Sequence, residues 1–522
     1  MPQDVYRDRI NVMKILDCTL RDGGYYTAWD FDKSIAEVYA DAMDRLPVDC
    51  IEVGYRSNPA KDYLGQFGYT PVSTLQAIRA RCKKKIAVML NEKITRIEDL
   101  DRLLVPVKGL VDVVRLAVDP NNFERAISLS KAVKSLGFVV SFNMMYMSTW
   151  RKRAGLMPKL ASLDGCIDIL CMVDSFGGIA PEELKAIVQE VRLNTNVPIG
   201  FHGHNNLQMG LINTLTAMEC GAESVDATIL GMGRGAGNLK MELLLTYLNR
   251  HHGLDVDFNT LGDVITAFEP LRKRYGWGTS LPYMLSGAND IPQKEVMEWV
   301  SNRVYSFNSI VRALDNRRNK VADNARFPVF SPDRRYDGVV VVGGGESAHV
   351  HAGAVRQYLL VNPNIAIVFA TARQAKDYLD IPNDHYYCLA GNESRRIKQI
   401  VGDKATEGIG ILPPYPREMG TEVLPCMMER TFELAGINFE KTHRNSVTAL
   451  ALQLAMQLTT GDVWLIGYDG YPGQVLSEKE IALSRENQAI FTSYAKCAGK
   501  PLVSLSLSLY SELQVESIYQ FI

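Results

Sequence analysis

The sequence predicts an α/β protein in which a (β/α)8 (TIM) barrel with a helical appendage precedes a Rossmann-like α/β domain. Two observations predict the barrel: short β-branched strands recur through the first 230 residues, and polar residues stand at their carboxyl ends. A third observation, a buried strand at 339–342 followed by three glycines and a helical stretch, predicts the later domain. The predicted domains are 1–265 for the barrel, 266–325 for the appendage and 336–522 for the Rossmann-like part.

Composition limits the classes of partner. The chain has 522 residues, of which 47% are hydrophobic, so it is long enough for two or three domains with full cores. A formal net charge of -2 provides no basic field, which argues against nucleic acid or an anionic membrane as a partner. Nine scattered cysteines without a C-x-x-C pair, and the absence of an apolar leader or spanning segment, predict a reduced, cytoplasmic protein without a membrane span.

Eight segments of the barrel region have the continuous apolar pattern of strands that are buried on both faces. Their spacing of about 25 to 36 residues leaves room for one crossover helix after each strand. An open doubly wound sheet is the alternative, but no G-x-G-x-x-G follows the first strand. The predicted strands are 13–18, 50–54, 85–90, 111–118, 137–143, 168–174, 197–203 and 224–230.

Charged residues and histidines stand where two of these strands end. The stretch ILDCTLRDGG places Arg21 and Asp22 after the first strand, where the paired glycines predict a turn. In FHGHNN, His202 and His204 are two residues apart on a strand and therefore point to the same face. One carboxylate and two imidazoles that converge predict a metal site, although an Asp after a strand also caps turns and a histidine also packs in cores. The other strand ends supply the candidate substrate-binding residues Glu52, Arg115, Asn143 and Asp174.

A glycine-rich run, GMGRGAGNLKMELL at 231–244, follows the eighth predicted strand and contains Asn238. Glycine makes such a run mobile, and a lid or a phosphate cradle is the functional alternative. The following residues, 245–325, have a helical and charged pattern, and 319–335 is the best linker candidate.

The later domain begins with a buried strand, three glycines and a helix. Backbone N–H groups at such a helix start suit a phosphate or another anion, which makes Gly343, Gly344 and Gly345 candidate ligand-binding residues. Neither the Walker spacing nor G-x-G-x-x-G is present. Asp469, after the apolar run WLIGY, is a candidate ligand-binding residue or a turn former. Further strands are predicted at 365–370, 385–391, 408–413 and 463–471.

The motifs LDCTLRDG, IEVG, HGHNN and GMGRGAGNL resemble those of metal-dependent lyases and acyl-transferring synthases, the family of HMG-CoA lyase, isopropylmalate synthase and 4-hydroxy-2-oxovalerate aldolase. The likeness covers residues 13 to about 250 and is strongest to the aldolase branch. The resemblance implies that Asp22, His202 and His204 bind a divalent metal with Asn238 near it. It also implies that Arg21 faces the oxygen on which enolate charge collects. Mn or Mg is the expected ion, and this donor set also accepts Zn or Fe.

The reaction that the resemblance implies is cleavage or formation of a 4-hydroxy-2-oxo acid, with a pyruvate-type 2-oxo acid and an aldehyde as the two parts. The aldolases carry a histidine base shortly after R-D-G, whereas Gly24 and Tyr25 stand here. Tyr25 is therefore the candidate base, and a tyrosine acts as one only where a cation or metal lowers its pKa from about 10. The lid of HMG-CoA lyase carries a cysteine, which 231–240 lacks, so that activity is disfavoured.

Two alternatives stay open: a Claisen-type acyl-CoA synthase, and a non-catalytic scaffold that binds a nucleotide. The C-terminal region resembles Rossmann-like domains of the pterin-pyrophosphokinase and sialyltransferase type, which leaves a nucleotide or sugar nucleotide open as its ligand. The helical appendage leaves a homodimer open.

Overall fold

The structure is a computed structural model, which describes residues 13–61, 63–301, 307–320, 326–391, 393–402, 407–417, 423–471 and 478–522. The chain forms two compact units, Met1–Glu298 and Trp299–Ile522. Within the described segments, no helix has both the length and the apolar character needed to cross a membrane.

The first unit contains a closed barrel of eight parallel strands, in which each strand pairs with the next and the eighth pairs with the first. The predicted (β/α)8 barrel is thereby confirmed. Its strands are Lys14–Asp17 (β1), Cys50–Tyr55 (β2), Lys85–Asn91 (β3), Val113–Val118 (β4), Val139–Met144 (β5), Ile169–Asp174 (β6), Ile199–Gly203 (β7) and Ser224–Ala227 (β8).

Thirteen α-helices are described within residues 13–301. They are Thr19–Thr27 (α1), Lys33–Arg45 (α2), Gln66–Tyr69 (α3), Val72–Arg81 (α4), Leu100–Leu104 (α5), Phe123–Ser135 (α6), Leu156–Lys159 (α7), Pro181–Asn194 (α8), Gly210–Glu219 (α9), Met241–His252 (α10), Phe258–Tyr275 (α11), Leu281–Ala288 (α12) and Gln293–Ser301 (α13). Helix α11 runs through residue 265, where the barrel domain was predicted to end, and its Phe268 packs against Tyr39 of α2 with ring centroids 6.2 Å apart.

The stretch after β1 is helical, which corrects the predicted turn at Gly23 and Gly24. Both glycines lie within α1, where neighbouring side chains leave no room for a Cβ atom. A Cβ on Gly24 would lie 2.0 Å from the Trp29 ring, and one on Gly23 would lie 2.5 Å from Met232 Sδ. The two glycines therefore allow α1 to pack closely against Trp29 and Met232. This packing fixes the direction of residues 18–22, which connect β1 to the glycines.

The eighth strand is shorter than predicted. It ends at Ala227 rather than at residue 230, because the chain turns into a 3-10 segment, Ile229–Gly231, in which Leu230 has a φ of 55°. This turn starts the glycine loop, which we define as residues 231–238.

The second unit contains an open sheet of eight parallel strands in the order β13-β12-β11-β10-β9-β14-β15-β16. Strand order reverses beside β9, and hydrophobic clusters lie on the two faces of the sheet. The strands are Tyr336–Val342 (β9), Ile365–Phe369 (β10), His385–Cys388 (β11), Ile409–Leu412 (β12), Thr431–Glu433 (β13), Thr459–Ile466 (β14), Leu502–Ser504 (β15) and Leu513–Val515 (β16).

The remaining helices are Phe307–Asn319 (α14), Ser347–Val350 (α15), Ala352–Val361 (α16), Glu393–Ile400 (α17), Val447–Leu458 (α18) and Glu478–Ala498 (α19). The predicted strand 463–471 starts earlier and ends at Ile466, because Gly467 adopts a φ of 79°. Within the predicted linker 319–335, residues 321–325 lie outside the described part of the chain.

Candidate active site and metal centre

Two imidazoles, a carboxylate and an amide meet at the carboxyl end of the barrel. His202 Nε2 lies 3.6 Å from Asp22 Oδ2, and the rings of His202 and His204 have centroids 5.0 Å apart. Asn238 donates from Nδ2 to Asp22 Oδ2 at 2.7 Å. Its Oδ1 is buried and has no hydrogen-bond partner among the described residues. The structure thus brings together these four residues, which we call the metal cluster.

Both histidines direct the same ring nitrogen toward the cluster. The Nδ1 of His204 lies 2.8 Å from the main-chain oxygen of Asp174, and the Nδ1 of His202 lies 2.9 Å from Asp226 Oδ2. Because each Nδ1 faces an acceptor oxygen, Nε2 is the nitrogen that each ring can offer to a metal. Burial, followed by the neighbouring His202, lowers the pKa of His204 to about 3. This imidazole is therefore neutral, as a metal ligand must be.

A buried chain of charges joins α1 to β8 behind the metal cluster. Glu52 Oε2 accepts from Arg21 Nε at 2.8 Å and from Arg115 Nη1 at 2.9 Å. The second Nη of Arg115 pairs with Asp226, and Arg21 also pairs with Asp22. Burial opposes ionisation, yet Arg115 lowers the pKa of Asp226 to about 2, and Asp22 and Glu52 raise the pKa of Arg21. Asp226 and Arg21 are thus ionised at neutral pH.

The donor set of the metal cluster fits a divalent cation. One carboxylate and two imidazoles are joined by an amide oxygen that has no partner among the described residues and that an ion would satisfy. A second possible set within the described residues consists of Cys18, His202 and Asp226, whose ligand atoms lie within 4.8 Å of one another. Burial raises the pKa of the Cys18 thiol well above its ordinary value, and Asp226 is already paired. Because metals bind the thiolate, this set is the weaker candidate.

Asp226 orients a candidate ligand, so its replacement tests the metal cluster. We expect Asp226→Asn to weaken divalent-metal binding by about 10- to 100-fold, the range typical of partners behind a metal-bound histidine. The affinity is measured by titrating metal into chelator-treated protein. Asp168→Asn is the matched control, because this carboxylate pairs with Lys134 at 2.7 Å away from the cluster. Equal affinities in both variants would contradict the role given to Asp226.

The four candidate substrate-binding residues have protein partners. Glu52 and Arg115 belong to the buried chain of charges, although Glu52 Oε1 is buried without a partner among the described residues. Asn143 Oδ1 accepts a hydrogen bond from Arg115 Nε at 3.2 Å, so this side chain helps to hold the arginine in place. The Asp174 carboxylate accepts from the amide of Gly177 at 3.0 Å, and burial raises its pKa to about 6. A direct role of these residues in substrate binding stays a prediction.

Tyr25, the candidate base, lies on α1 one turn beyond Arg21. Its hydroxyl is 2.8 Å from that of Tyr55, at the end of β2. The guanidinium carbon of Arg234 lies 3.7 Å from the centroid of the Tyr25 ring. Tyr55 and Arg234 were not among the predicted site residues. Tyr55 directly follows the IEVG motif, and Arg234 is the charged residue of the glycine loop, which are the signals that could have found them.

Residues of the predicted helical appendage, 266–325, hold the glycine loop in place. The amide of Ala236 donates to Gln293 Oε1 at 3.0 Å, and Trp277 Nε1 donates to the oxygen of Leu230 at 3.0 Å. Gly235 and Gly237 have φ values of 62° and 77°, which favour glycine. These contacts fix the loop over the metal cluster.

In the second unit, an internal carboxylate occupies the start of the helix after the three glycines. Asp469 accepts from the Ser347 amide at 2.9 Å and from its hydroxyl. A Cβ on Gly345 would lie 2.7 Å from Asp469 Oδ2, which requires glycine there. The structure therefore brings Gly345 and Asp469 together. An external phosphate at this point would meet a negative charge.

Comparisons with known proteins concern the barrel. Residues 12–265 match the HMGL-like family. A 4-hydroxy-2-oxovalerate aldolase of Pelotomaculum thermopropionicum is 32% identical over 268 residues, which are 50% of this chain and 78% of that protein. An oxaloacetate decarboxylase of Mycobacterium tuberculosis is 29% identical over 253 residues, 48% of this chain and 74% of that protein.

A crystal structure, of the N-terminal domain of a candidate aldolase from Bacteroides vulgatus, is also similar. That domain is 63% identical to this chain, with a TM-score of 0.55, and the match covers 58% of this chain and 100% of the crystallised domain. The chain therefore belongs to the HMGL-like family, with the barrel of a carbon–carbon lyase related to 4-hydroxy-2-oxovalerate aldolase.

Proposed function

We propose that the barrel is a metal-dependent aldolase that cleaves a 4-hydroxy-2-oxo acid into a pyruvate-type 2-oxo acid and an aldehyde, or forms it from them. The observation that carries the proposal is the convergence of Asp22, His202, His204 and the orphaned Asn238 Oδ1 beside the buried Arg21. A divalent ion held there, most simply Mn or Mg, supplies Lewis-acid stabilisation of negative charge on the 2-oxo group.

Arg21 supplies a permanent positive charge for the same oxygen. Its Nε and one Nη bind Glu52 and Asp22, which fixes the plane of the guanidinium. Its other Nη has no hydrogen-bond partner among the described residues, so its N–H groups can donate to the substrate. This is the arrangement of an oxyanion site, in which the donor is held before the charge develops.

Tyr25 is proposed to take the proton of the C4 hydroxyl. The C3–C4 bond then breaks, its electron pair forms the enolate of the 2-oxo acid, and the C4 oxygen becomes the aldehyde oxygen. Burial raises the pKa of Tyr55 well above its ordinary value, so Tyr55 stays protonated and donates to Tyr25.

Tyr25→Phe therefore tests the base. We expect kcat for cleavage of a 4-hydroxy-2-oxo acid to fall by about 10²- to 10⁴-fold, the contribution of a general base. Metal affinity should be unchanged. Tyr26→Phe is the matched control, because the neighbouring hydroxyl lies 3.5 Å from the oxygen of Gly235 instead. A Tyr25→Phe protein with full activity would show that another group takes the proton.

Decarboxylation of a 2-oxo diacid is the second candidate reaction, which the relative named oxaloacetate decarboxylase favours. It leaves the same enolate, but it needs no base at C4. Tyr25→Phe should thus spare decarboxylation and impair aldol cleavage, and measuring both products from both variants separates the two reactions.

The remaining expectations have weaker support. A Claisen-type synthase would release CoA from acetyl-CoA in the presence of a 2-oxo acid, which a thiol assay detects. The nine cysteines are free, which supports the proposal of a reducing, cytoplasmic setting. A nucleotide ligand of the second unit and a homodimer stay predictions.

A further inference from the structure

Arg234 is a cation at the edge of the site. It is half-buried on the glycine loop, and its guanidinium makes no hydrogen bond or ion pair with the described residues. The guanidinium lies over the Tyr25 ring. Arg21 and Arg115, by contrast, each pair with two carboxylates. Partial burial removes water from a guanidinium, so an unpaired one is the natural binding point for an anion.

The position of Arg234 relates it to the substrate. Its neighbour Gly233 packs on the metal cluster, since a Cβ there would lie 2.6 Å from Asn238 Nδ2. Tyr25, under the Arg234 guanidinium, is one helical turn from Arg21. Given the proposed function, a 2-oxo acid bound at the metal cluster and Arg21 places its C4 hydroxyl at Tyr25. The part of the substrate beyond C4 then lies toward Arg234.

The other two guanidinium groups of the site are already paired. Those of Arg21 and Arg115 face the three carboxylates of Asp22, Glu52 and Asp226. Among the described residues, the guanidinium of Arg234 has no such carboxylate partner.

We propose that Arg234 binds a second anionic group at the far end of the substrate, so that the enzyme prefers 4-hydroxy-2-oxo acids ending in a carboxylate or a phosphate. The inference rests on the proposed function and specifies its substrate class. A planar guanidinium binds either anion through paired N–H donors, and the contact with the Tyr25 ring holds the Arg234 guanidinium near the proposed base.

The test compares the wild-type protein, Arg234→Gln and Arg234→Lys on three substrates that share the 4-hydroxy-2-oxo acid end. One ends in a methyl group, one in a carboxylate and one in a phosphate. We expect Arg234→Gln to lower kcat/KM by about 10- to 100-fold for an anionic substrate and by less than about threefold for the methyl substrate. Arg234→Lys should have a kcat/KM for the anionic substrates between those of the wild type and Arg234→Gln. Arg250→Gln is the control, because Arg250 is exposed. The anionic substrate whose kcat/KM falls more in Arg234→Gln identifies the natural terminal group.

An equal loss on all three substrates would overturn the inference, because Arg234 would then act through Tyr25 or the loop. A binding experiment separates this outcome from failure of the proposed reaction. The affinities of Mn-loaded protein for pyruvate and for a longer 2-oxo diacid without a 4-hydroxyl are measured by calorimetry. Suppose that no substrate is cleaved, but that the diacid binds at least about tenfold more tightly than pyruvate and that Arg234→Gln abolishes this difference. The anion site is then supported independently of the aldolase reaction. Equal affinities, or no binding of either acid, overturn the inference.

Discussion

Replacing Arg21 by alanine should lower kcat by about 10²- to 10³-fold, the effect of removing one donor that is preorganised for a developing oxyanion. Arg21 is buried, ionised and held by Glu52 and Asp22, so its position does not depend on the substrate. An interaction that strengthens as charge develops stabilises the transition state more than the substrate. The expected loss is consequently in kcat rather than in KM, which steady-state kinetics with a 4-hydroxy-2-oxo acid will separate.

The same substitution removes a partner from buried carboxylates, which can cost about 3–5 kcal/mol of folding stability. Glu52 keeps Arg115 at 2.9 Å, so we expect the fold to survive. Thermal unfolding checks this, and Arg21→Lys is the matched variant, since it keeps the charge without the planar fork. Partial recovery of Arg21→Ala by added guanidinium would attribute the loss to the missing group. Activity within threefold of the wild type in a folded Arg21→Ala protein would contradict the role of Arg21.

Replacing His202 by alanine should abolish measurable cleavage. It should also weaken metal binding more than Asp226→Asn does, for which the expected loss is about 10- to 100-fold. The Nε2 of His202 faces Asp22, and its Nδ1 is bound to Asp226. Alanine removes the whole ring and therefore removes one of the proposed metal ligands. Asp226 retains Arg115 in the variant, which limits the structural damage. Metal titration and activity are measured on the same preparation.

The exposed His251 provides the control, because its ring packs against that of Tyr247 with centroids 4.5 Å apart and it is outside the metal cluster. His251→Ala should bind metal as the wild type does. A His202→Ala protein that binds metal with unchanged affinity would place the ion elsewhere, and the set containing Cys18 would then need to be tested.

The barrel could be predicted from sequence because buried parallel strands leave continuous apolar runs at a regular spacing. His202 and His204 could be predicted because residues two apart on a strand share a face. Asp226 could not, since its partners His202 and Arg115 are 24 and 111 residues away. A single carboxylate within an apolar strand gives no local sign of such partners.

Other misses have similar causes. Gly23 and Gly24 are needed in α1 because Met232 and Trp29, distant in the chain or beyond the helix end, occupy the space that side chains would need. In the second unit, β13, β15 and β16 are three residues long and too short to show an alternating or apolar pattern. Tertiary contacts rather than local pattern thus decide these elements.

The most direct test is pyruvate release from a 4-hydroxy-2-oxo acid by the purified protein, measured after chelation and again after Mn is added back. We expect pyruvate and aldehyde in equal amounts with the metal, almost none after chelation, and no recovery by His202→Ala. Release that survives both chelation and His202→Ala, or no release from the metal-loaded wild type, would contradict the account.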